Sequence, residues 1–349
     1  MDIKSLLKAT VQLNASDLHI VAGIEPQVRV DGHLELLDIP VMDNKEVEAL
    51  CYSVITEKQK KELEEEKELD FAISIDGIGR FRINYYFSAG TIAAAIRVIP
   101  EKIPSLDDIS APEIYREFIQ RERGLVLVTG PTGSGKTTTI AAMLGEVNKN
   151  SKKHILCIED PVEFMHENKR ALFSYRTVGE DTKSFARALK SSLREDPDII
   201  YVGELRDKET ISAALTAAET GHLVFGSLHT NSAPQTINRI LDVFSGDEQP
   251  QARAQLSVTL IAVISQVLIP KIGGGRACAN EILVNNPAIG NLIREQKVHQ
   301  IASQMLIGQG ITGMQTQTQI LEKLVKNKQI TRDNAFEFAA KPEELKGRI

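Results

Sequence analysis

The sequence predicts an α/β fold: a mostly parallel sheet after residue 124, preceded by a smaller α+β domain with an antiparallel sheet. Three observations carry this. From Gly124, the runs LVLVT, HILCIE, DIIYVGE and HLVFGSL are short and continuously apolar, and each is followed by helical sequence. Such runs mark parallel strands covered on both faces. Before Pro100, FAISI, GRFRINYYF and TIAAAIRVI instead alternate and are rich in β-branched and aromatic residues, as half-buried antiparallel strands are. Between the two patterns, Pro100, Pro104 and Pro112 mark a connector. The expected division is an N-terminal domain over 1–100, a hinge or linker over 101–123, and a second domain over 124–349 with a helical C-terminal part.

The elements follow in order. The chain opens on a short amphipathic stretch (Ile3, Leu6, Leu7), and Ser16-Asp17 is placed to start the next element. PQVRVDGHLELL reads as a hairpin turning at Asp31-Gly32, a strong two-residue turn signal. Val47 to Leu63 reads as one helix, continued by the solvated run KKELEEEKE. A short helix over Glu113 to Arg123 follows the connector, with Pro112 tolerated near its start. Val258 to Ile269, VTLIAVISQVLI, is the most apolar stretch. It is shorter than the roughly 20 residues that span a bilayer, so a buried helix is expected there and no transmembrane segment. Residues 326 to 349 are polar and are expected to be partly mobile.

Composition excludes several classes. With 349 residues, 42% hydrophobic and 25% charged, general disorder is excluded. Lys and Arg total 41 against 47 Asp and Glu, for a net charge of -6. That leaves no broad basic field, and nucleic acid is not an expected partner. Cys51, Cys157 and Cys278 form no CxxC, so neither a disulfide framework nor a structural zinc site is expected. The N-terminus lacks a long apolar signal region. A reduced, cytosolic protein is the expectation.

The strongest motif is GPTGSGKT: Gly130, Pro131, Thr132, Gly133, Ser134, Gly135, Lys136 and Thr137. It lies between an apolar strand and the helical sequence beginning at Thr138. Glycines there let backbone N–H groups turn in around phosphate oxygens, and the following helix presents its N-terminus to the anion. Lys136 would reach the β- and γ-phosphates, and the Thr137 hydroxyl would ligate Mg²⁺. ATP and Mg²⁺ are therefore the expected cofactors.

Carboxylates follow two of the apolar strands. DIIYVGE ends in Glu204, with Gly203 where a second acid is common. CIEDPVE carries Glu159, Asp160 and Glu163. In an open parallel sheet the C-terminal strand ends face the ligand crevice, which places both clusters near the phosphates. Glu163 is assigned as base or water-positioning residue and Glu204 as the acid on the Mg²⁺ side, and the two roles are exchangeable. His222 and His229 flank the strand LVFGSL. They are structural histidines or polar sensors of the γ-phosphate.

These residues resemble the secretion-ATPase superfamily. GPTGSGKT, IEDPVE, LREDPDIIYVGELRD and GHLVFGSLHTNSA look like its Walker A, Asp box, atypical Walker B and His box. Within it the chain is most similar to the PilT family of type IV pilus retraction ATPases. ASDLHIVAGIEPQVRVDGHL, GRFRINYYFSAG, RVIP, TAAETGHLVFGSLHTNSA, AVISQVLIPK and AIGNLIRE carry that resemblance along nearly the whole chain. Gly290 stands where the family signature has Arg, Ala89 where a basic residue is expected, and Tyr175-Arg176-Thr177 in place of Gln-Arg-Glu.

The resemblance implies a PAS-like N-terminal domain, a RecA-like ATPase domain and a homohexameric ring, with ATP at the junction of the domains. It also implies that Arg82 and Arg97 serve as arginine fingers, with Arg194, Arg206 and Arg239 as further candidates near the nucleotide. The implied partners are an inner-membrane platform protein and a paralogous pilus ATPase. The implied location is cytoplasmic, peripheral at the inner membrane. Rival readings are an accessory PilU-like ATPase, a pilus-assembly or type II secretion ATPase, and, from another class, a P-loop switch or nucleic-acid translocase.

Overall fold

The computed structural model describes residues 2–30, 32–100, 102–307 and 312–349. The chain forms two compact units. One comprises Met1–Lys102 with Asp160–Met165, the other Ile103–Glu159 with His166–Ile349.

In the first unit, the elements are α1 (Ile3–Gln12), β1 (Asp17–Ile20), β2 (Gln27–Val30), β3 (His33–Leu36), α2 (Asn44–Tyr52), α3 (Glu57–Glu66), β4 (Glu68–Ile75), β5 (Gly79–Ser88) and β6 (Thr91–Ile99). The strands form one antiparallel sheet in the order β3-β2-β1-β6-β5-β4. Period-two alternation gives it two different faces. Phe81, Ile83 and Tyr85 of β5 are buried with Leu6 and Leu7 of α1, Val47 and Cys51 of α2 and Leu63 of α3. Arg80, Arg82 and Asn84, the intervening residues, lie half-buried on the other face.

The single helix expected over Val47 to Leu63 is two. Thr56 starts α3 by accepting from the Gln59 N–H while the Gln59 side chain accepts from the Thr56 N–H. This reciprocal box satisfies the helix's orphan donors and fixes a new start. β2 and β3 pair as the expected hairpin with Val30 opposite His33; Asp31 of its turn lies outside the described residues. β5 and β6 join through Ala89-Gly90, both at positive φ (50° and 82°).

In the second unit, the chain runs through α4 (Ile114–Ile119), β7 (Gly124–Thr129), α5 (Lys136–Asn150), β8 (His154–Glu159), β9 (Leu172–Thr177), α6 (Phe185–Ser192), β10 (Ile199–Val202), α7 (Lys208–Glu219), β11 (Leu223–Leu228), α8 (Ala233–Asp242), α9 (Gln249–Thr259), β12 (Leu260–Pro270) and β13 (Arg276–Val284). It closes with α10 (Pro287–Arg294), α11 (Ile301–Ile307), α12 (Gln317–Lys326), α13 (Arg332–Phe338) and α14 (Pro342–Leu345). The sheet order is β13-β12-β7-β11-β10-β8-β9, parallel throughout except for β13. Strand β7 feeds two cores. Leu125 and Leu127 pack with α7 and α8 residues such as Leu215 and Ile237. Val126 and Val128 pack with Ile140 and Leu144 of α5.

Three expectations change here. Val258 to Ile269 is mainly strand β12, not a buried helix: from Leu260 it lies between β7 and β13, which supply its backbone hydrogen bonds. A continuous apolar run suits either a buried strand or a buried helix, and only the neighbours decide. Of the stretch 101–123 expected as a linker, Ile103 onward groups with the second unit. Its Leu106, Tyr115, Phe118 and Ile119 are buried there against the α5 layer. The polar C-terminal residues are also anchored: Leu324, Ile330, Ala335 and Leu345 bury against Ile269, Ala277 and Ala279. Among the described residues, no helix is long and apolar enough to cross a membrane.

Ala89 holds a left-handed conformation that costs an L-residue with a Cβ on the order of 1 kcal/mol. Ala89→Gly is therefore expected to stabilise the first unit by about 1 kcal/mol. Chemical denaturation of the two proteins checks this; an unchanged or lower midpoint would contradict the strain.

Candidate functional site

The site is built at the C-terminal edge of the parallel sheet. The loop after β7 leads through Gly130 (φ 144°), Gly133 (φ 77°) and Gly135 (φ 86°) into the 15-residue helix α5. No side chain caps that helix, and no acidic residue stands in its first turn. Its first N–H groups have no intrahelical acceptor by construction, and its dipole favours an anion there. The Ser134 hydroxyl is buried without a hydrogen-bond partner. Lys136 Nζ donates to the carbonyls of Gly130 (2.8 Å) and Pro131 (3.0 Å) across the loop. Pro131, Thr132 and Gly133 are exposed, and Thr137 and Thr138 are half-buried in the first turn of α5. An uncapped helix, a backward-turning loop and an unsatisfied buried hydroxyl fit a phosphate group.

The acids sit at neighbouring strand ends. Glu159 ends β8 and is 5% exposed. A Cβ on Gly203, just after β10, would meet Glu159 Cα at 3.3 Å and Glu159 Cγ at 3.4 Å. The Ser227 hydroxyl donates to the Gly203 carbonyl at 2.5 Å. Glycine at 203, where another acid is common, thus lets the ends of β8 and β10 lie in close contact. Glu204 follows, paired with Arg206 Nε at 2.6 Å and His229 Nε2 at 3.4 Å. Burial pushes its carboxyl pKa up, but the Arg206 bond and the nearby His229 outweigh that and hold it below the usual glutamate range. Glu204, Arg206 and His229 are therefore one cluster. Among the described residues no group of three or more His, Cys, Asp or Glu side chains could cage a metal. Mg²⁺ is held largely by substrate phosphates and water with one or two protein oxygens, and the Thr137 hydroxyl and Glu204 carboxylate are oxygen donors of that chemical kind.

The other sequence candidates are placed as follows. His222 immediately precedes β11, at the opposite end of that strand from the loop, and its Nδ1 lies 3.1 Å from the Ala217 carbonyl. The structure does not bring it to the phosphate loop, because the six strand residues between it and His229 separate the two ends of the sheet. Arg239 is exposed in the last turn of α8. Arg194 lies just beyond α6.

Asp160 and Glu163 belong to the first unit, as do Arg82 and Arg97. Arg82 donates to Asp70 Oδ2 at 2.6 Å and to Glu163 Oε1 at 3.4 Å. Its pKa is raised, first by the Asp70 hydrogen bond. Arg97 Nε donates to Asp17 Oδ1 at 2.9 Å. Arg29, Asp17, Arg97 and Arg82 stand directly opposite one another across β2, β1, β6 and β5, a single charged row on the polar face. Sequence reasoning missed Asp17 and Arg29, because strand pairing rather than any motif puts them in that row, and Asp70, which stands opposite Asn84 on β4 and reaches Arg82 from beside the row.

Residues 1–341 match the family model described as type II/IV secretion system protein. A Pseudomonas aeruginosa protein described as the type IV pilus retraction ATPase PilT is 50% identical over 345 residues, covering 99% of this chain and all of the relative. A Neisseria gonorrhoeae twitching motility protein is 45% identical over 98% of this chain and 92% of its own length. The crystal structure of the pilus retraction motor PilT with bound ADP superimposes with a TM-score of 0.91 at 48% identity, covering 99% of both chains. A RecA-like α/β architecture with a separate antiparallel N-terminal sheet is thus common to this chain and that structure. The chain belongs to the type II/IV secretion system protein family, with PilT-type ATPases among its full-length relatives.

Proposed function

We propose that this chain is a Mg²⁺-dependent ATPase that powers type IV pilus retraction and twitching motility as a homohexameric ring. The observation that carries the reading is the uncapped α5 N-terminus behind GPTGSGKT, in a chain matched end to end by relatives described as a pilus retraction ATPase and a twitching motility protein. The ring would work from the cytoplasmic face of the inner membrane on a platform protein, with a paralogous ATPase as a further partner. A head-to-tail interface closes into such a ring when its rotation allows. The two units would act as nucleotide-responsive bodies, with the chain around Lys102 and around Asp160–Met165, where it passes between them, as the hinge.

In this reading Gly130 to Thr138 bind the phosphates, and Lys136 leaves the loop carbonyls for the β- and γ-oxygens. Mg²⁺, when bound, supplies charge neutralisation at those oxygens. Glu204, kept ionised by Arg206 and His229, lies on the metal side, and Glu163 accepts a proton from the attacking water. Arg82 and Arg97 act as arginine fingers, which requires each to exchange its present carboxylate partner for phosphate. His229 reports on the γ-phosphate through its contact with Glu204. Glu159 and Asp160 flank the site, and Arg206 and Arg239 are further contacts.

Lys136→Ala is expected to lower ATP turnover by about 10²–10³-fold and to abolish binding of a fluorescent ADP analogue. Normal turnover in that variant would remove the loop from the mechanism. Glu204→Gln and Glu163→Gln should each retain nucleotide and lose about 10²–10⁴-fold in kcat; whichever hydrolyses normally is not the base. Light scattering with and without a non-hydrolysable ATP analogue should give a hexamer in at least one state, whereas a monomer in both would argue against the ring. In cells lacking the gene, surplus pili that never retract are expected. Bald cells would instead indicate an assembly motor.

A further inference from the structure

The loop that would hold phosphate is itself held by a buried side chain from strand β12, outside GPTGSGKT and the two carboxylate segments. Gln266 lies on β12, one residue beyond Ser265, which stands opposite Thr129 at the end of β7. It is 3% exposed. Its Nε2 donates to the Ser134 carbonyl at 2.6 Å, and its Oε1 accepts from the Thr139 hydroxyl at 3.0 Å. Its main-chain carbonyl is the atom that a Cβ on Gly130 would strike, at 2.2 Å. Gln266 therefore meets the loop at its first glycine, at Ser134 and at the first turn of α5.

The geometry points to Gln266 as the residue that positions the phosphate loop, by fixing the peptide plane between Ser134 and Gly135. That plane is flat and trans, so the Ser134 C=O and the Gly135 N–H point in opposite directions. Anchoring the carbonyl toward β12 turns the N–H away from β12, to the side where an anion is received. Gly135 has φ 86°, a conformation glycine enters and leaves cheaply. Without the anchor this peptide is free to rotate and present a carbonyl oxygen to the phosphate. The amide is matched to the task, because it has a donor for Ser134 and an acceptor for Thr139. This inference rests on the nucleotide reading above and deepens it: Gln266 acts on affinity for the phosphates, not on the chemical step.

The test uses the full chain with mant-ADP as probe, steady-state ATP hydrolysis, and thermal unfolding without nucleotide. Gln266→Met has similar length and no amide. It is expected to bind mant-ADP about 5- to 30-fold more weakly, with KM for ATP rising by a similar factor and kcat changed less. Gln266→Glu keeps the acceptor for Thr139, and it can donate to Ser134 only while protonated. Burial raises the pKa of such a carboxyl. Its affinity relative to wild type should therefore be greatest at low pH and fall as pH rises through that pKa. Wild-type-like affinity in a folded Gln266→Met protein overturns the inference. So does a Gln266→Glu defect that is the same at every pH, which would make the residue a packing element only. If Gln266→Met does not fold, Thr139→Val decides: by freeing the amide it should weaken mant-ADP several-fold, and unchanged binding counts against the anchor. Failure of the wild-type chain to bind mant-ADP would instead remove the nucleotide reading itself.

Discussion

Parallel strands that share a polarity must end at one edge of their sheet, and the second unit depends on that constraint. β7, β8, β10 and β11 run in the same direction, so the phosphate loop, Glu159, Glu204 and His229 all leave the sheet on one side. The same rule removes His222, which lies at the start of β11 rather than its end. The backbone pairs that hold this edge are buried on both faces by apolar helices. At that edge, beyond the apolar layers, polar side chains and open helix N–H groups are compatible with the packing.

Charge compensation is the second theme. Glu204 rests between Arg206 and His229, Arg82 between Asp70 and Glu163, Arg97 against Asp17, and Lys136 against loop carbonyls. Exposed or half-exposed pairs of this kind are worth little as fold stabilisers, typically about 0–1 kcal/mol each. They matter more as exchangeable partners. The charged row across β2, β1, β6 and β5 shows how antiparallel register gathers such groups from distant positions.

Legibility varied with the range of the interaction. The phosphate loop was readable because its demands are local: glycines for backbone turns, then Lys and Thr at the helix start. The strands of the first unit were readable from alternation, and four of the parallel strands from continuous apolar runs. β12 was not, since VTLIAVISQVLI has no periodicity that separates strand from helix. Thr56 was overlooked as a helix start, although its partner Gln59 stands three residues on, as a capping box requires. Leu106, Tyr115 and Phe118 fell in a proline-marked stretch, and proline spacing says nothing about which core will accept the side chains between.

The sequence by itself determined the phosphate loop, the α/β character of the second unit, the antiparallel character of the first, and the acids and His229 that follow the apolar strands. These depend on residue type and short spacing, which the chain carries along its own length. Only the tertiary structure decided which candidates share a site. It paired Glu204 with His229 and separated His222. It grouped Glu163 with Arg82, and it placed Gln266 against Ser134 across 132 residues. Strand order and register create those contacts, and they follow from how whole layers bury their apolar faces rather than from any local pattern.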